Sequence, residues 1–123
     1  MGWIPIDLMV PDVDLFRVGN AGGPRLYHVR DRDVDTVEHN GTTRVIANGK
    51  GISLTTQKGL DASRFGGHVY MLPAGTALPG GLKLNHDDAH HYSLCPTHPM
   101  PLSQFLELCR ALAPALSFVK VKK

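Results

Sequence analysis

Glutamate is nearly missing from this chain of 123 residues: of eleven acidic residues nine are Asp, leaving Glu38 and Glu107. Any reaction that needs a glutamate carboxylate therefore has two candidates. Cysteine is equally scarce. Cys95 and Cys109 lack CxxC spacing, and the pattern predicts two buried small apolar residues, not a disulfide. No run approaches the roughly 20 apolar residues of a membrane span, so no membrane partner is expected. The opening Met1-Gly-Trp-Ile-Pro-Ile-Asp7 has no basic start and carries Pro and Asp too early for a signal peptide. Ile6 stands where a myristoylation signal wants Ser or Thr. The expectation is a cytoplasmic protein, or one exported without a signal peptide. A net charge of +2 falls short of the basic face of a nucleic-acid binder. Only Phe118-Val-Lys-Val-Lys-Lys123 concentrates positive charge.

What is present fits one domain over residues 1–123. Hydrophobic residues make up 42% of the chain, enough for a core, while 13 Gly and 9 Pro predict many turns and short elements. Strands are expected over residues 15–19, 34–37, 44–47, 52–56, 68–72, 82–84, 91–95 and 117–121, and residues 26–29 read as strand or short helix. Asn40-Gly41 is a two-residue hairpin turn, because both positions tolerate positive φ. The one well-marked helix covers residues 102–113, where apolar side chains at 102, 105, 106, 109, 112 and 113 share a face. Pro101 suits its first turn and Pro114 ends it. The fold class is α+β: a small, curved, mostly antiparallel sheet with one C-terminal helix packed on it.

Several motifs fail. The glycines at 19, 22 and 23 do not make G-x-G-x-x-G, and Lys50 is followed by Gly51, not Ser or Thr. Within Asn85-His-Asp-Asp-Ala-His-His91, His86 and His90 would share a helical face for a metal, but the flanks read as strand and loop, so no metal is expected. The same segment can serve as a polar loop or a substrate contact. Arg17 stands inside an apolar strand, where it either faces water or turns its planar fork onto a phosphate or carboxylate. Ser53, Thr55 and Thr56 add hydroxyls on another strand.

Leu15-Phe-Arg-Val-Gly-Asn20, Gly49-Lys-Gly-Ile-Ser53, Leu78-Pro-Gly-Gly-Leu-Lys-Leu84, His90-His-Tyr92 and Pro99-Met-Pro101 occur in that order. Together they resemble the Tse-two family of type VI secretion toxins over residues 15–113. The resemblance implies an ADP-ribosyltransferase-like fold and NAD as substrate. It implies Arg17 against NAD, Ser53-Leu-Thr55 bracing the nicotinamide pocket, and Tyr92 beside the cofactor. Ser53 and His91 are the catalytic candidates. The usual late-strand Glu is absent around His91, so Asp87, Asp88 or His91 would have to replace it. The implied function is a cytosol-acting toxin that transfers ADP-ribose to a cellular target or hydrolyses NAD, with a neutralising immunity or antitoxin protein as partner. Two alternatives stand beside it. One is a small ribonuclease-type toxin using His90, His91, Lys83 and Arg17. The other is a non-enzymatic protein-binding module.

Overall fold

The computed structural model describes residues 3–27 and 33–123. Ten strands and two helices follow the chain: β1 (Ile6–Leu8), β2 (Leu15–Gly19), β3 (Thr36–His39), β4 (Thr42–Val45), β5 (Ile52–Thr55), α1 (Gln57–Ala62), β6 (Gly67–Leu72), β7 (Leu82–Asp88), β8 (His91–Pro96), β9 (Met100–Pro101), α2 (Leu102–Leu112) and β10 (Ser117–Lys122). The α+β reading holds, with strands paired antiparallel throughout the described residues. There are two sheets where one was expected. Seven strands run in the order β1-β7-β8-β5-β2-β6-β10, and β3-β4-β9 form a separate small sheet. Asn40 (φ 51°) and Gly41 (φ 78°) make the expected tight turn between β3 and β4. The segment 26–29 lies partly outside the described residues.

Alternation along the strands sorts the large sheet into two faces. On one, Leu15, Ile52, Leu54, Leu84 and Leu94 pack with Phe105, Cys109 and Leu112 of α2. These helix residues come from the stripe that the 3.6-residue period marks, and Phe105 and Cys109 are fully buried. The other face carries a smaller cluster of Phe16, Val69 and Leu60, the last from α1. The sequence reading missed α1, because six residues are too few to show a helical period. Its signal was Thr56, whose side chain caps the helix by accepting from Gly59 N at 3.2 Å. Both cysteines are free and buried, as read, and burial pushes the thiols up to about 11 for Cys95 and about 12 for Cys109.

One glycine is dictated by close approach. A Cβ on Gly51 would stand 1.9 Å from the carbonyl oxygen of Leu94. Only a residue without a side chain lets the start of β5 lie against β8 there. That contact matters because β5 and β8 carry the candidate site.

Candidate functional site

β5 is the central strand of the large sheet, and β8 lies beside it with Ser53 opposite Ser93 and Thr55 opposite His91. Directly paired residues share a face, so Ser53, Thr55, His91 and Ser93 all stand on the face away from α2. Farther along, β7 and β8 slip register between His86 and Asp88. This bulge sets two aspartates, Asp87 and Asp88, against the single residue His91. Bulges of this kind re-aim a side chain and are common beside active sites.

The bulge produces a continuous hydrogen-bonded chain. Asp87 Oδ1 lies 2.6 Å from His91 Nδ1, and His91 Nε2 lies 3.0 Å from Ser53 Oγ. The other carboxylate oxygen, Asp87 Oδ2, accepts from the hydroxyl of buried Ser93 at 2.9 Å. An ionised carboxylate can only accept, so Nδ1 carries the imidazole proton in the neutral ring. Nε2 is then an acceptor, and Ser53 donates its hydroxyl proton toward it. Ser93 holds the carboxylate, the carboxylate holds the ring, and the ring faces an exposed hydroxyl. Such an arrangement can take a proton from Ser53 and return it to a leaving group.

Thr55 is part of the same row, but its hydroxyl is engaged. Oγ1 donates to the carbonyl of His90 at 2.9 Å. Thr56 Oγ1 lies 3.2 Å from His90 Nδ1. Next to this row is a cavity of about 400 Å³ walled by Val13, Asp14, Phe16, Thr56, Gln57, Lys58 and His90. Phe16 lies opposite Thr55 and Thr55 opposite His91, so the Phe16 wall of the cavity is about 10 Å from His91, two strand spacings, while His90 brings another wall to the adjoining residue.

Arg17 reaches Ser53 from the other side. Pairing of Phe16 with Thr55 puts Phe16 on the His91 face, and alternation along β2 puts Arg17 on the face that packs α2. Its guanidinium was expected either in water or on a phosphate or carboxylate, with the resemblance implying NAD. Instead Nε donates to Pro24 O at 3.0 Å, Nη1 to Ser53 O at 2.9 Å, and Nη2 makes a longer contact of 3.5 Å with Arg25 O. The physical reason is local. Arg25 sits at φ 60°, a left-handed conformation that costs about 1–3 kcal/mol in a residue with a Cβ. A fixed planar donor fork holds that turn against β5. Guanidinium and imidazole both meet Ser53, one at its backbone and one at its side chain, across the thickness of the sheet.

Tyr92 also lies away from the imidazole. Expected beside the cofactor, it is 2% exposed. Its hydroxyl donates to Asp12 Oδ1 at 2.8 Å, and its ring stacks on His86 at 4.0 Å. Burial and the Asp12 carboxylate push the phenol well above its ordinary range. Tyr92 alternates with His91 along β8, so it lies on the face opposite the imidazole.

The glutamates lie elsewhere. Glu38 is on β3, accepting from Thr43, and Glu107 is on the solvent side of α2, paired with Arg110 at 2.7 Å. The ribonuclease set is dispersed: Lys83 is paired with Asp7 at 2.7 Å, opposite Cys95 and four residues along β8 from His91. Among the described residues no group of three His, Cys, Asp or Glu is placed to hold a metal ion. No helix among them is long and apolar enough to cross a membrane. Sequence reading missed Ser93 and Lys58. The first was legible as the residue two positions after His91 on the same strand face, the second only through α1.

The model of the Tse2 ADP-ribosyltransferase toxin family matches residues 12–117. The chain belongs to this family, whose members are toxins of ADP-ribosyltransferase type. Among the curated proteins and the solved structures, nothing matches it.

Proposed function

We propose that this chain is a single toxin domain that binds NAD and breaks its nicotinamide–ribose bond in the cytosol, passing ADP-ribose to a cellular target or to water. Membership of the Tse2 family supports the reaction class. The observation that carries the site is the Asp87–His91–Ser53 chain, which sets a carboxylate-backed imidazole at the middle of the sheet. Cleaving the bond builds positive charge on the sugar, as in glycoside cleavage. In this reading Asp87, acting through His91, takes the place of the usual glutamate, and His91 activates the acceptor hydroxyl or water. Ser53 forms the pocket wall beside it. Arg17 keeps a positioning role, holding Ser53 by its carbonyl. The cavity beside Phe16 and Lys58 offers an aromatic surface and one cation for the rest of the dinucleotide, with the Asp14 carboxylate on the same wall steering its phosphates toward Lys58. The producing cell then needs a neutralising immunity protein.

Titration of NAD into the purified protein tests the reading, together with nicotinamide release in the presence of cell extract. Heat of binding and release of nicotinamide are expected. Neither signal, from protein shown to be folded, would end it.

A further inference from the structure

We propose that Ser53 is a nucleophile in its own right, with His91 as its general base and Asp87 as the group that orients the base, and that the site accepts carboxylic esters. This activity is independent of NAD. Two observations carry it together. The hydroxyl is exposed at mid-sheet and lies 3.0 Å from His91 Nε2, the nitrogen that accepts when the neutral ring carries its proton on Nδ1. The second ring nitrogen is fixed by a carboxylate at 2.6 Å, which is itself held by a buried hydroxyl. The constellation matches nucleophile, base and orienting acid by geometry and role, which is how such sites are recognised on unrelated folds.

The acyl group would sit on the open sheet face beside Ser53, since neither Ser53 nor His91 lines the cavity at Phe16.

The chemistry balances without a further reactant beyond water. Ser53 Oγ forms a bond to the ester carbonyl carbon as its proton passes to His91 Nε2. The bond from carbonyl carbon to alcohol oxygen breaks, and the departing alcohol takes that proton. Water then attacks the acyl-serine, gives one proton to His91, and Ser53 leaves with it, freeing the acid. Asp87 stays ionised and stabilises the charged ring.

A fluorophosphonate probe tests the nucleophile directly, since Ser53 Oγ would bond to phosphorus and expel fluoride. The full chain is treated with the probe without NAD, and the modified residue is identified by peptide mass spectrometry. Labelling at Ser53 is expected, abolished in Ser53→Ala and slowed at least tenfold, on the order of a hundredfold, in His91→Gln and Asp87→Asn. p-Nitrophenyl butyrate hydrolysis should fall in parallel. Circular dichroism of each variant separates lost reactivity from lost folding, and wild type with and without prior denaturation provides the comparison if a variant unfolds. No label on Ser53, an equal rate in denatured protein, or slowing of less than tenfold in a folded His91→Gln variant would overturn the proposal. Nicotinamide release is read separately, so either activity can fail while the other stands.

Discussion

The two faces of the seven-stranded sheet differ in what their residues are free to do. Toward α2, Ile52, Leu54 and Leu94 alternate into a sealed cluster with Phe105 and Cys109, and every atom there is committed to packing. On the reverse of the same strands, Ser53, His91 and Asp87 form a hydrogen-bonded chain that ends in an exposed hydroxyl. One residue step separates the two environments. A strand that stabilises with one set of side chains can thus hold a reactive set rigidly with the other, since its backbone is fixed by pairing on both sides.

Substitutions on each face should break different properties. Phe105→Ala, on the sealed face, removes a fully buried ring and is expected to cost about 3–5 kcal/mol in urea unfolding. His91→Ala, on the open face, should lower turnover on the order of a hundredfold, about 2.7 kcal/mol of barrier. Its unfolding free energy should change by less than about 1 kcal/mol, because the ring is half-exposed. A large stability loss there would erase the distinction between the faces.

Arg17→Met sharpens the comparison, since this residue touches the site from the sealed side. Loss of its bonds to Pro24 and Ser53 should cost about 1–2 kcal/mol and leave NAD affinity within about twofold in titration calorimetry. A large affinity loss with unchanged stability would return the guanidinium to the role of a phosphate grip. The smallest effect belongs to a rim pair remote from both faces. Asn48 and Lys50 hold the exposed Asp35 carboxyl below its usual 3.8. A lowered folded value stabilises above the unfolded one and is lost as pH falls through it. Asp35→Asn should therefore lower Tm slightly near neutral pH, with the difference fading below about pH 4.

Legibility in the sequence followed the range of the interactions. The α2 stripe, the Asn40-Gly41 turn and the strands β2, β5, β6 and β8 rest on periods and propensities within a few residues, and they were read with small shifts at the ends. Helix α1 was too short for a period, and β1 is three residues whose pairing with β7 lies about eighty positions away. The site was half legible. Ser53 and His91 stood out as polar residues on strands, yet nothing in the chain order told that Asp87, not Asp88, would reach the ring. The bulge that decides it belongs to the pairing of β7 with β8.

From its own residues the chain determined its class, its terminal helix, its turns and the near absence of glutamate, because these depend on composition and on neighbours along the backbone. Tertiary structure alone decided that Arg17 and His91 approach Ser53 from opposite faces, and that Tyr92 is sealed against His86. Which face a strand residue occupies is set by alternation, but which face is core is set by the helix that comes to rest on it.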